Sequence, residues 1–288
     1  MHTQPDSGSI DLSVSKDIMI RVEAEDSIYE MPLEEYLLCV LLGEMPVDFE
    51  PEALKAQSVA TRTYTLRKTM KQGKHIEADV CTDASCCHAF VSEMDYLQDG
   101  GSEADLLKMK YVLNATAGEV LTYQGNLIEA TYFSCSGGKT EDAMEVWGTS
   151  VPYLQSVDSP GEENAKHFAD TFEFTVDEFC KKLGLTIENG ILETDLTITH
   201  TEGNGVDRLV IGNTILSGVQ VRTLLSLPST AFELSIDNDV VVIHTKGYGH
   251  RVGMSQYGAD AMALAGKNYH EILAHYYPGT QLEKFNDQ

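Results

Sequence analysis

The sequence predicts a mixed α/β protein of the α+β kind: a mixed-strand core with helices, a second smaller lobe, and a cleft between the two. Three observations predict it. The chain has 288 residues at 42% hydrophobic content, enough for one large domain or two ordinary ones with a real core. Strand-like and helix-like patterns alternate irregularly, with no internal repeat or low-complexity segment. The texture also changes between about Pro160 and Pro228, which sets the expected organisation: a core of 17–160 plus 231–288, a lobe at 161–230, and a polar lead at 1–16.

Each element has a local reason. DIMIRVE and SIYEMP read as short strands, and Pro32 then opens a helix through LEEYLLCVLLG, so apolar that it must be buried. PEALKAQSVATRTYTLRKTMKQGK is a second helix, with Pro51 in its first turn, Glu50 and Glu52 where the dipole favours acids, and Gly73 as the stop. The cysteine-rich stretch after it reads as a loop, ADLLKMKYVLNAT as a helix, and GEVLTYQGNLIEATYFS as two strands about a Gly125-Asn126 turn. SCSGGKTEDAMEVWG is loop-like. The second lobe offers a helix around Cys180 and the strands DLTITH and DRLVIGNTIL; a hairpin about Asp237-Asn238-Asp239 follows, then the helices QYGADAMALAG and YHEILAHYY.

Acidic residues outnumber basic ones 45 to 20, and a net charge of −25 argues against nucleic acid or an anionic membrane surface as a sequence-independent partner. No apolar run approaches the roughly 18 residues of a membrane span.

Three segments can carry chemistry. Glu44 ends the Leu-rich helix in LLCVLLGEMPVDFE, where lost hydration and the negative end of the helix dipole both push a carboxyl toward a general acid's range. An ordinary solvated glutamate at a helix end is the bland alternative. In HIEADVCTDASCCH, His75, Cys81 and Cys87 stand five residues apart with Cys86 and His88 flanking the last; this donor set suits zinc, and a disulfide through Cys81 fits the spacing equally. In GYGHRVGMSQYGADAMA the glycines allow close backbone approach, and His250, Ser255, Gln256 and Tyr257 supply polar and stacking groups suited to sugars, unless the stretch is only a tight strand-to-helix turn.

Together with ATYFSCSGGKTEDAMEVWG and VPYLQSVDSP, these segments resemble, in order, the stage II sporulation protein D family of peptidoglycan lytic transglycosylases, over most of the chain outside the middle lobe. The resemblance implies cleavage of MurNAc-GlcNAc bonds in peptide-stripped glycan strands to 1,6-anhydro-MurNAc ends during spore engulfment, with Glu44 as catalytic acid and base. It favours zinc at His75, Cys81 and Cys87, and it places Tyr132, Ser136, His250, Ser255, Gln256 and Tyr257 along a substrate cleft. Two positions depart from the family pattern: His88, where glutamine is usual, and Arg251, where glycine is common. The first could add a metal ligand, the second a contact to a muramic carboxylate. Arg62 and the other bases of the second helix, Lys55, Arg67, Lys68, Lys71 and Lys74, are expected to give the anionic glycan a locally positive field.

The same resemblance implies an amino-terminal membrane anchor, an extracytoplasmic location between two membranes of the sporulating cell, and a peptide-removing cell-wall amidase as working partner. No anchor helix stands in this sequence, which therefore reads as an external portion. A non-catalytic glycan-binding module similar to amidase enhancers is the alternative, and a zinc-dependent hydrolase a third.

Overall fold

The structure, a computed structural model, describes residues 18–24, 27–70, 75–185, 196–237 and 239–285. The polar lead, Lys71, the Gly73 stop, Lys74 and Asn238 lie outside the described residues. In chain order the elements begin with β1 (Met19–Ala24), β2 (Ser27–Pro32), α1 (Leu33–Glu44), α2 (Pro51–Met70), β3 (Val80–Cys81), α3 (Glu93–Gln98) and α4 (Glu103–Ala115). Next come β4 (Glu119–Tyr123), β5 (Asn126–Leu127), β6 (Tyr132–Phe133), α5 (Ala143–Trp147), β7 (Ala169–Thr175), α6 (Val176–Leu183), β8 (Leu196–His200), β9 (Val206–Ile211) and β10 (Thr214–Ser217). The chain continues with α7 (Gly218–Leu225), β11 (Ala231–Asp237), β12 (Val240–Lys246), β13 (Met254–Ser255), α8 (Gln256–Leu264), α9 (Tyr269–Tyr276) and β14 (Gln281–Lys284). The class is α+β, as predicted. Among the described residues no helix is long and apolar enough to cross a membrane.

By packing, the chain forms two units. One holds the described residues up to Ala130, with 268–270 and those from Gln281; the other holds Thr131–Lys267 and Glu271–Thr280. In the first, α1 is buried on nearly every face through Tyr36, Leu37, Leu38, Val40 and Leu41, and α2 meets the core with Ala53, Leu54, Ala56, Val59 and Ala60. The sheet β2-β1-β3 is antiparallel at β1/β2 and parallel at β1/β3, and a second sheet runs β14-β4-β5. The hairpin turn falls at Gln124-Gly125, one residue before the expected pair, because both central positions have positive φ (51° and 75°) and only Asn126 pairs onward as strand.

Arg62 is 1% exposed and does not meet solvent. Its guanidinium forks onto Glu34 of α1, both bonds 2.8 Å, and donates to the Thr116 carbonyl at 2.9 Å. This corrects the expectation of a glycan contact, since a guanidinium fully bonded inside the core cannot reach a ligand. Among the described bases of α2, Lys55 pairs with Glu52, and Arg67 and Lys68 both pair with Glu129, so acidic neighbours offset part of the expected positive field.

In the second unit, β7 and β11 flank β12 in an antiparallel sheet, and β8-β9-β10 form a meander. Phe179 and Leu183 of α6, Val221 and Leu225 of α7, and Val241 and Ile243 of β12 share one core. A parallel pair, β6 with β13, aligns Tyr132 with Met254. The loop-like SCSGGKTEDAMEVWG contains a short helix after all, because Asp142 caps α5 by accepting the Met144 N–H and Gly148 ends it at φ 71°.

Truncation of Arg62 strands a buried carboxylate. Arg62→Ala is expected to lower the unfolding free energy by about 3–5 kcal/mol in urea titrations, with no salt-dependent change in glycan affinity.

Candidate active site and metal centre

Glu44 is the last residue of α1. The helix stops there because Met45 turns to extended backbone ahead of Pro46. Its carboxyl group is half-buried, and Oε1 accepts the Ala89 N–H at 2.7 Å. Gly43 makes that approach possible: a Cβ there would lie 2.8 Å from the Ala89 carbonyl carbon and 2.9 Å from the Phe90 nitrogen. The Val91 N–H to Cys39 carbonyl bond, 3.0 Å, continues the seam along the helix. Tyr36, Val40 and Glu44 recur every four residues and so share one face. The Tyr36 phenol is pushed up in pKa, first by burial, then by the thiols of Cys87 and Cys81, by Tyr64 and by Glu44.

The cysteine-rich loop gathers a donor cluster. His75, Cys81, Cys86 and Cys87 bring one ligand atom each to within 4.8 Å of one another. His75 Nε2 is 3.4 Å from Cys87 Sγ and 3.6 Å from Cys86 Sγ, while its Nδ1 lies 2.6 Å from Glu23 Oε2. That carboxylate favours a proton on Nδ1 and leaves the Nε2 lone pair for a metal. Strand pairing places Glu23 beside Cys81, and the Asp83 carbonyl accepts the N–H groups of Cys86 and Cys87 to close the turn. Burial raises the Cys81 thiol and pushes that of Cys87 up to about 12. All six cysteines are free thiols here, and none forms the alternative disulfide. Cys86 joins the expected three donors and His88 does not: the His88 ring turns away into the core, with Nδ1 3.0 Å from the Tyr36 hydroxyl. The convergence of three thiols and an imidazole oriented by a carboxylate fits a metal ion.

In the second unit several expected glycan contacts turn inward. Ser136 is buried, and its N–H and hydroxyl, with the Gly137 N–H, donate to Glu162 Oε2 at 2.8, 2.8 and 2.9 Å. Arg251, in the left-handed region at φ 65°, is also buried, and it donates to Ser136 and Lys139 carbonyls and to Glu141. Ser255 is buried as the cap of α8, accepting the Gly258 N–H, and Gln256 is buried beside it. These four are corrections: all are buried, and the polar groups of Ser136, Arg251 and Ser255 are bonded within the fold. Tyr132, His250 and Tyr257 keep partial exposure.

His250 Nδ1 accepts the Val252 N–H at 3.1 Å, and its ring lies 5.6 Å from Phe133 and 5.4 Å from Trp147. Burial, then Arg222, lowers its pKa to about 4, so the imidazole is neutral at pH 7. Trp147 is 45% exposed and Tyr248 46%, the latter stacked 4.9 Å from His167. Sequence reasoning missed both aromatics, although Trp147 is the chain's single tryptophan. A separate cleft of about 470 Å³ on the polar face of β7-β12-β11 is lined by Thr171, His200, Glu233, His244 and Lys246.

A family model described as stage II sporulation protein matches residues 22–123, the span that holds Glu44 and all four metal-donor residues. Stage II sporulation protein D of Bacillus subtilis (strain 168) is 38% identical over 266 residues, covering 91% of this chain and 77% of its own length. The chain belongs to the stage II sporulation protein D family. The Bacillus amyloliquefaciens protein of that name is 37% identical over 262 residues, with 90% and 76% coverage. The amidase enhancer of Bacillus subtilis (strain 168) is 30% identical over 301 residues, covering 85% of this chain but 40% of that protein.

Two measurements check this geometry. Glu23→Gln should weaken metal binding about 10–100-fold in competition with a chromogenic chelator, because it frees the ring of His75. Because the folded His250 pKa lies below its ordinary value, its contribution is complete above about pH 6.5 and lost as pH falls toward about 4. Stability should drop by about 2 kcal/mol from pH 7 to pH 5 on this account, and His250→Gln should flatten that part of the profile.

Proposed function

We propose that this chain is a peptidoglycan lytic transglycosylase, cleaving MurNAc-GlcNAc bonds of peptide-stripped glycan strands to 1,6-anhydro-MurNAc ends during spore engulfment. The observation that carries the reading is Glu44 in its GEMP setting: a half-buried carboxyl group at the end of a buried helix, held by a backbone N–H, inside the family span.

The chemistry asks for one such group. Glu44, protonated, delivers its proton to the departing glycosidic oxygen as the C1–O bond breaks. The resulting carboxylate takes the proton of the C6 hydroxyl as that oxygen bonds to C1, so the acid is regenerated and no water is consumed. Trp147 and Tyr248 offer exposed ring faces to sugars.

Zinc is the metal that best suits His75, Cys81, Cys86 and Cys87. Bound there, it supplies a structural cross-link, because four protein ligands leave no place for an activated water; this weighs against a zinc-dependent hydrolase. The native protein acts outside the cytoplasm, anchored to the membrane and alongside a cell-wall amidase that strips the peptides. The amidase-enhancer reading is favoured by one observation, the 30% identity to a protein of that name.

Stripped strands and intact peptidoglycan incubated with the parent and with Glu44→Gln separate these readings by mass spectrometry. The parent should release anhydro-muramic ends from stripped strands, and Glu44→Gln should be slower by about 10²–10⁴-fold. Parental rates from the variant would overturn the assignment, and silence from both proteins would favour the enhancer.

A further inference from the structure

His88 stands between the last metal-donor residue, Cys87, and Ala89, whose N–H holds Glu44. We propose that His88 is a positioning residue: its ring, anchored to Tyr36 of α1, fixes the backbone that presents the Ala89 N–H to the Glu44 carboxyl group. The stretch from Cys87 to Val91 is tied at its ends by the Cys87 N–H to the Asp83 carbonyl, 2.9 Å, and the Val91 N–H to the Cys39 carbonyl, 3.0 Å. Between those ties the His88 side chain is buried and reaches back onto α1, with Nδ1 3.0 Å from the Tyr36 hydroxyl. Its ring meets Tyr64 of α2 edge-on at 4.9 Å, and the Lys68 ammonium lies over that phenol ring at 4.4 Å from the centroid. Phe90, on the far side of Ala89, also touches Tyr36, ring centroids 5.8 Å apart. Ala89 is therefore flanked by two residues that both bear on one tyrosine, two helical turns before Glu44 on the same face.

A single hydrogen bond, 3.0 Å, joins His88 Nδ1 to the Tyr36 hydroxyl. A glutamine amide carries both a donor and an acceptor and can replace that bond, whereas leucine fills similar space and cannot. Gly43 shows how little slack the arrangement has, since even a methyl group there would collide with the Ala89 and Phe90 backbone.

The catalytic half of the test rests on the transglycosylase reading, and the amide-exchange half does not. Hydrogen exchange of the Ala89 amide is followed by NMR in the metal-loaded parent, His88→Leu, His88→Gln and Tyr36→Phe, with bound metal counted in each. His88→Leu and Tyr36→Phe should exchange roughly 10-fold faster or more at Ala89 with metal content unchanged, and His88→Gln should stay near the parent. On stripped glycan the first two should lose about 10–100-fold in kcat with little change in KM, and glutamine should restore it. Parental exchange at Ala89 in Tyr36→Phe, which keeps the ring packing and removes only the hydroxyl, overturns the proposal, as does failure of glutamine to restore exchange. Should the parent release no anhydro product, the transglycosylase reading fails, while the exchange data still decide the role of His88.

Discussion

The Ala89 N–H to Glu44 Oε1 bond organises the first unit, and it exists because a loop backbone lies directly against the end of a buried helix. Two conditions must hold together. The helix end needs a residue without a side chain, supplied by Gly43, and the loop needs its own fixed shape, supplied by the Asp83 turn and the donor cluster that Cys81 of β3 joins. A carboxyl group in this setting keeps one orientation, and a fixed orientation is what the proposed acid-then-base role would require. The cluster and the carboxyl group thus belong to one continuous piece of structure, with metal donors at one end of a short loop and the acid's partner at the other.

In the second unit the constraint is different: two buried carboxylates, Glu141 and Glu162, must be satisfied without water. Ser136 and Gly137 wrap Glu162, whose other oxygen accepts from Ser159, and Arg251, Thr201 and Gly205 wrap Glu141. Burial pushes the Glu141 carboxyl up and the Arg251 guanidinium down, and their mutual attraction opposes both shifts. Glycine-rich, serine-rich segments look the same in sequence whether they cradle an external ligand or an internal carboxylate, because both tasks need exposed backbone N–H groups and close approach. Here the SGG turn performs the internal task, while the rings of Trp147 and Tyr248 stand exposed.

Local signals served the helices well. Proline at the starts of α1 and α2 and the unbroken apolar run of α1 were legible because they act within a few residues. β3, β13 and β14 were not: two to four residues carry too little periodicity, and their hydrogen bonds come from strands distant in sequence. The donor cluster was half legible. His75, Cys81 and Cys87 announced themselves by type, while the choice of Cys86 over His88 as the fourth depended on which way each side chain leaves the turn.

Sequence alone determined the α+β class, the main helices, the glutamate at the end of the buried helix and the composition of the donor cluster, since residue type and short-range periodicity carry that information. Tertiary structure decided which polar groups face outward. Arg62, Ser136, Arg251 and Ser255 have the chemistry of ligand contacts, and each is turned inward by a partner far along the chain, Arg62 by Glu34 and Ser136 by Glu162. A charge or hydroxyl reads alike in sequence whether water or protein surrounds it, and only long-range packing settles its partner.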